Sequence, residues 1–184
     1  MGFETPITIE KVIQGIQQNK YVLPAIQREF VWDGEQIEKL FDSLMRGYPI
    51  GSFLFWKIEP DHLGDFQFYR FMDCYHERDQ RHNQPIDLVG DTSITAVLDG
   101  QQRLTALNIG LKGWYANKLP YYRWNNDYAF PNRYLYLNLL NPPEDNGNAF
   151  DFKMLQEKDA NQVDGKKFWF RVSDIFKFKE LQDT

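Results

Sequence analysis

The chain is poor in the residues that crosslink proteins or bind transition metals. Its 184 residues include one cysteine, Cys74, and three histidines. A single cysteine excludes a disulfide within the chain and suits a reducing compartment. His76 and His82 stand six positions apart, which matches neither one face of a helix nor the usual zinc patterns. The sequence therefore favours a solvated loop over a metal site between them.

Long apolar runs and an excess of positive charge are also missing. No apolar run reaches the roughly 20 residues that a membrane-spanning helix needs, and the N-terminus lacks the charged and apolar regions of a signal peptide. We therefore expect a cytoplasmic protein with no membrane partner. With 21 Lys and Arg against 26 Asp and Glu, the formal charge is −5. Any contact with DNA must then come from a local patch or from another domain.

The chain does have enough apolar and aromatic residues for a core, at 42% and 16%. Apolar residues recur at helical spacing after Thr8 and after Asp33, where Asp33 and Gln36 form a capping box and Gly47 gives a stop. Strand patterns fall at residues 25–32, 50–56, 94–98, 134–139, 150–155 and 167–172. The sequence predicts an α+β protein in which 50–56 is a buried strand and the C-terminal part is an antiparallel, β-rich extension.

A polar run, DGQQR at 99–103, stands where the strand predicted at 94–98 gives way to apolar residues at helical spacing. The first N–H groups of a helix have no partner within the helix and attract anions. Gly100 allows close approach to the backbone, Arg103 can clamp phosphate oxygens, and Asp99 can hold Mg²⁺ or a ribose hydroxyl. The alternative is a helix cap with a surface salt bridge, the more frequent meaning of such a pattern taken alone.

Gln27 and Arg28 are two adjacent polar residues in the otherwise apolar strand predicted at 25–32. They either point into a site or lie on a solvated strand edge, and the local sequence favours the edge.

The stretch 121–130 is rich in aromatic residues, and these lie near Arg123 and Arg133 in the sequence. Exposed rings of this kind stack nucleic acid bases, although at this density an aromatic residue more often belongs to a core.

Three blocks of sequence resemble the N-terminal domain family of GmrSD-type restriction endonucleases, which are type IV, modification-dependent enzymes. The blocks are LPAIQREFVW at 23–32, LFDSLMRGYPIGS at 40–52 and LDGQQRLTAL at 98–107, with a weaker fourth at 167–176.

The same layout is similar to the ParB/sulfiredoxin-like fold, in which a Gly-x-x-Arg turn, here Gly100 to Arg103, opens a helix. The resemblance implies a small mixed sheet with helices. We expect a ParB-like nucleotide-binding core at residues 1–115 and a β-rich extension of the same domain at 116–184. Sulfiredoxin chemistry is excluded because Gln101 stands where that family has its catalytic cysteine.

The resemblance also implies nucleotide binding and hydrolysis at the DGQQR turn, in a system that restricts modified foreign DNA and in which an HNH-type nuclease domain or subunit cuts the DNA. The chain shows no His-Asn-His pattern, so we expect it to be the sensing and nucleotide-handling part of a protein that continues beyond Thr184.

The implied cofactor is a nucleoside triphosphate with Mg²⁺, and Asp99 is the implied metal ligand. The expected catalytic residues are Gln27, Asp99, Gln102 and Arg103. The expected nucleotide-binding residues are Gln27, Arg28, Gly100, Gln101, Gln102, Arg103 and Thr105.

Two other functions stay open. The domain could recognise modified DNA without hydrolysis, using Trp32, Tyr48 or the aromatic residues of 121–130. It could also be a ParB-like nuclease, but this needs a cluster of carboxylates around a metal, which Asp99 alone does not provide.

Overall fold

The computed structural model describes residues 5–26, 29–88, 93–143, 147–162 and 165–182. The chain divides into two compact units, each assembled from three separate segments. Unit 1 comprises Met1–Glu29, Ser52–Phe71 and Asn83–Gln101. Unit 2 comprises Phe30–Gly51, Met72–His82 and Gln102–Thr184. The sequence-based boundary between 1–115 and 116–184 stays a prediction.

The described part of the chain contains both helices and strands, and the α+β class is confirmed. The helices are α1 (Ile9–Gln17), α2 (Gly34–Met45), α3 (Gln101–Lys112), α4 (Glu157–Ala160) and α5 (Ile175–Gln182). The strands are β1 (Tyr21–Pro24), β2 (Leu54–Ile58), β3 (Phe68–Tyr69), β4 (Cys74–His76), β5 (Pro85–Ile86), β6 (Ile94–Asp99), β7 (Trp114–Ala116), β8 (Tyr134–Asn138), β9 (Phe152–Leu155) and β10 (Trp169–Arg171). Short 3-10 segments span Pro60–Asp65, Asp127–Ala129 and Val172–Asp174.

Unit 1 is built on a five-stranded mixed sheet in the order β2-β6-β1-β3-β5. Strand β1 runs parallel to β6, with Val22 opposite Ala96, and β2 runs antiparallel to β6, with Leu54 opposite Asp99. Val22 and Ala96 belong to the buried apolar cluster of this unit. Helix α1 begins as predicted, because the Thr8 side chain accepts the N–H of Lys11 at 3.3 Å.

Two strand predictions in unit 1 need correction. The strand expected at 25–32 is wrong for its described residues: the strand that pairs with β6 ends at Pro24, and Ile26 is 93% exposed. The strand expected at 50–56 begins only at Leu54 and is mostly exposed rather than buried. The reason is that β2 is the edge strand of the sheet, and an edge strand has a neighbour on one side only.

Unit 2 joins helix α2 to the predicted antiparallel extension, a three-stranded sheet in the order β10-β8-β9. The capping box of α2 is confirmed, since the Asp33 carboxylate accepts the Gln36 N–H at 2.8 Å and the Gln36 side chain accepts the Asp33 N–H at 3.0 Å. Two buried carboxylates of α2 bind backbone N–H groups at and before β9: Glu38 accepts that of Met154 at 2.8 Å, and Asp42 accepts those of residues 149 and 150. Strands β4 and β7 form a separate parallel pair in this unit.

None of the helices in the described ranges is long and apolar enough to span a membrane.

Candidate functional site

The DGQQR run forms the turn from strand to helix that its sequence predicts. Strand β6 ends at Asp99, which lies opposite Leu54 and is exposed. Helix α3 begins at Gln101. Gly100 between them is buried and has φ +88°, a left-handed conformation that glycine adopts without the steric cost of a β-carbon. The glycine is therefore required by the backbone of the turn itself.

The Gln101 side chain stabilises the start of α3. Its Nε2 donates a hydrogen bond to the carbonyl of Val97 at 2.8 Å. This bond joins the first residue of the helix to the strand before it, so the amide has a structural role in addition to any contact with a ligand.

Gln102 makes a contact within unit 2. Its Oε1 accepts the backbone N–H of Val31 at 3.0 Å, across 71 positions of sequence. The residue therefore positions the segment that leads into α2.

Arg103 is anchored to the segment that follows α2. Its Nη1 donates a hydrogen bond to the carbonyl of Ile50 at 2.6 Å. The neighbouring Gly51 has φ +87°, and a β-carbon there would lie 2.6 Å from the same Nη1. Because it has no β-carbon, Gly51 leaves room for the guanidinium of Arg103.

Further along α3 the polar side chains face inward. Thr105 is 3% exposed, so it is buried within the protein rather than presented at the surface. Asn108 is fully buried and its Nδ2 donates to the carbonyl of Met72 at 3.0 Å. Asn108, Ile50 and Gly51 were not among the site residues predicted from the sequence. The available signal for Asn108 was a single amide among the apolar residues of the helix.

Gln27 and Arg28, the other expected site residues, lie outside the described residues, and their roles in the site stay predictions. Among the residues that the structure describes, no group of three or more His, Cys, Asp or Glu side chains is placed to hold a metal ion. The thiol of Cys74 has its pKa raised to about 11 by burial and, to a smaller extent, by the neighbouring Asp73.

The aromatic residues of 121–130 differ from one another in exposure. Phe130 is buried, which confirms a core role for that ring. Tyr121, Tyr122, Trp124 and Tyr128 are exposed, so the core role that their density favoured is wrong for these four. Elsewhere in unit 2 the exposed ring of Tyr48 lies under the guanidinium of Arg46, at 4.4 Å.

These features define an α+β domain with a glycine-led turn from strand to helix and an arginine anchored in the first turn of that helix. Residues 9–184 match the family described as GmrSD restriction endonuclease, N-terminal domain. The chain belongs to this family, which confirms the resemblance seen in its three sequence blocks. Membership implies a role in a restriction system.

A similar protein from Methanocaldococcus jannaschii, described as uncharacterised, is 30% identical over 169 residues. The match covers 92% of this chain but 26% of the relative. The chain thus spans about a quarter of the length of the relative.

Proposed function

We propose that this domain binds a nucleoside triphosphate with Mg²⁺ at the DGQQR turn and acts as the nucleotide-dependent sensor of a system that restricts modified DNA. The observation that carries the proposal is the turn itself. Helix α3 starts directly after Gly100, which has φ +88°. The first N–H groups and the positive end of the helix dipole are the features that bind phosphate groups in proteins.

The position of Arg103 supports an anion at the same turn. The bond to Ile50 at 2.6 Å holds the guanidinium in one orientation, which lowers the conformational entropy lost when a ligand is bound. In this proposal Arg103 stabilises phosphate charge, while Gln101 and Gln102 hold the turn through their bonds to Val97 and Val31.

The residues also fit a magnesium ion that arrives with the nucleotide. Mg²⁺ is commonly held by one or two carboxylates together with substrate phosphates, and Asp99 supplies an exposed carboxylate at the end of β6. When bound, the ion would neutralise phosphate charge and polarise a phosphoryl oxygen. The chain's own contribution to hydrolysis would be to orient the attacking water, a role we assign to Asp99 and to Gln27.

The finer fold assignment and the partners are part of the same proposal. The Gly100 to Arg103 spacing after β6 supports a ParB/sulfiredoxin-like core. The greater length of the M. jannaschii relative, of which the chain spans 26%, leaves room for further domains. We therefore propose an HNH-type nuclease domain or subunit as the partner and modified foreign DNA as its substrate.

Calorimetric titration of each nucleoside triphosphate, with and without Mg²⁺, tests the proposal. Arg103→Lys keeps the charge but loses the planar fork, and we expect it to weaken binding about tenfold. Asp99→Asn should remove the effect of Mg²⁺ and leave metal-free binding intact. Arg81→Ala, at an exposed arginine of unit 2 outside the turn, is the control. If Arg103→Lys and Asp99→Asn both bind the triphosphate with wild-type affinity, the DGQQR turn is not the nucleotide site.

Recognition of modified DNA without hydrolysis is the second candidate function. The observation that favours it is the exposure of Tyr121, Tyr122, Trp124 and Tyr128 on one stretch of chain. This function predicts salt-sensitive DNA binding that survives Arg103→Ala, whereas the first predicts loss of triphosphate binding in that variant.

A further inference from the structure

Residues 119–130, the aromatic loop, have the features of a recognition surface. The loop is closed at its base, where the N–H of Leu119 donates to the carbonyl of Ala129 at 2.7 Å. Tyr121 is 104% exposed and Tyr128 is 85% exposed. Tyr121 also has φ +67°, a left-handed conformation that is unfavourable for a residue with a β-carbon. Exposed rings and backbone strain on one loop are both costs to folding, and such costs concentrate at functional sites.

The loop is held in place from within unit 2 by Arg78. Its Nη1 donates to the carbonyl of Trp124 at 3.0 Å, and its Nη2 donates to the Asp127 carboxylate at 2.8 Å. The guanidinium also lies 5.0 Å from the centre of the buried Phe130 ring. The exposed rings are thus carried by a backbone that is already ordered, so a ligand would not have to order it.

A cavity of about 520 Å³ lies against this loop. Tyr122 and Tyr128 are among the residues that line it. The polar groups that line it are Asn126, Asp127, Gln156 and Lys158. Its volume is within the range of small-molecule sites, about 300–1,000 Å³.

The charges around the cavity oppose one another. Asp127 carries a negative charge and Lys158 a positive one, and Asp127 is also paired with Arg78. The site therefore does not select an anion such as phosphate. Its tyrosine rings suit a flat, neutral ring, and its amide groups and charges suit the hydrogen-bonding edge of such a ring.

We propose that this cavity binds a nucleobase, supplied by an unpaired nucleotide of a nucleic acid strand or by a free nucleotide. The base stacks on Tyr128 or Tyr122, and the polar lining contacts its edge. The site uses none of the residues of the DGQQR turn, so it does not rest on the triphosphate proposal. It deepens the second candidate function by giving DNA recognition a location.

Titration of the whole chain with three probes tests the proposal: a single-stranded DNA oligonucleotide, an abasic oligonucleotide of the same length, and free nucleosides. Tyr128→Leu removes the ring and should weaken binding of base-containing probes about tenfold. Tyr128→Phe keeps an aromatic ring and should bind the base-containing probes as tightly as the wild type does. Phe168→Leu, at another exposed aromatic residue of unit 2, is the matched control. Thermal unfolding of each variant verifies that the fold is intact.

The three probes separate the sources of the base. If Tyr128→Leu binds the oligonucleotide more weakly but binds the abasic strand as the wild type does, the base comes from a nucleic acid strand. If the variant binds only the nucleosides more weakly, the base comes from a free nucleotide. Because stacking in a neutral cavity is not ionic, the loss should be the same at about 50 and 200 mM salt. An equal loss with the abasic strand, or wild-type binding by Tyr128→Leu with every probe, would overturn the proposal. Arg103→Lys should leave the oligonucleotide titration unchanged, so failure of one site is distinguishable from failure of the other.

Discussion

The guanidinium of Arg103 lies so close to the backbone of Gly51 that a β-carbon on residue 51 would stand 2.6 Å from Nη1. Gly51 also has φ +87°, so a side chain at this position would strain the backbone and would also displace the end of the Arg103 side chain. Together with the bond from Arg103 to the Ile50 carbonyl, this contact fixes the arginine of the proposed nucleotide site by means of backbone atoms.

Gly51→Ala should therefore displace Arg103 as well as strain the backbone. We expect a loss of about 1–2 kcal/mol in the free energy of unfolding from the strain alone, and weaker triphosphate binding from the displacement. Gly47→Ala is the control, because Gly47 has φ +71° but nothing within 4 Å of its would-be β-carbon. Urea unfolding and calorimetry on both variants measure the two effects. If both variants bind the triphosphate equally well, Arg103 does not depend on Gly51.

Asp42 should be important for the stability of unit 2. Its buried carboxylate accepts the N–H groups of Ala149 and Phe150 at 2.8 and 2.9 Å and pairs with Arg46. Asp42→Ala leaves these donors unpaired, for which we expect about 2–4 kcal/mol of destabilisation. Chemical denaturation provides the measurement. Asp61→Ala, at a side chain 76% exposed, should change stability by less than about 0.5 kcal/mol, and a similar loss in both variants would contradict the role of Asp42.

Glu38 should make stability depend on pH. Burial raises the pKa of Glu38 above its ordinary value of 4.5, an effect that the Met154 N–H and Lys153 oppose in part. A raised pKa means that the folded state binds more protons than the unfolded state, so stability falls as pH rises from about 4.5. Glu38→Gln should remove this part of the slope, because glutamine keeps an oxygen for the Met154 N–H but does not titrate. Parallel pH–stability profiles for the two proteins would contradict the assignment.

Cys74 should react slowly with alkylating reagents. Its pKa of about 11, against an ordinary 9.0, leaves only about one thiol in a thousand as the reactive thiolate at pH 8. Mass spectrometry of the native chain with iodoacetamide should show a rate that rises about tenfold per pH unit from pH 8 to 10. The urea-unfolded chain is the reference and should react faster at pH 8. Equal rates in the two states would show that the fold does not protect the thiol.

Structural features formed by residues close together in the sequence could be predicted from the sequence. The capping box joins Asp33 to Gln36, three positions away, and the DGQQR turn is a local change from alternating to helical spacing. The bond from Arg103 to Ile50 joins residues 53 positions apart, and every residue has a carbonyl, so nothing in the sequence marks Ile50 as the acceptor.

Burial was the least predictable property. The tyrosines of the aromatic loop and the apolar residues of β2 have the composition of a core, yet most of them are exposed. Whether such a residue is buried depends on which elements pack over it, and that is decided by contacts far apart in the sequence.

The division of each unit into three chain segments also affects how the domain can change by recombination. All of unit 1 falls within the first 101 residues, but two segments of unit 2 are interleaved with it. A single genetic crossover that replaces unit 1 must therefore replace parts of unit 2 as well. The two units are therefore inherited as one block.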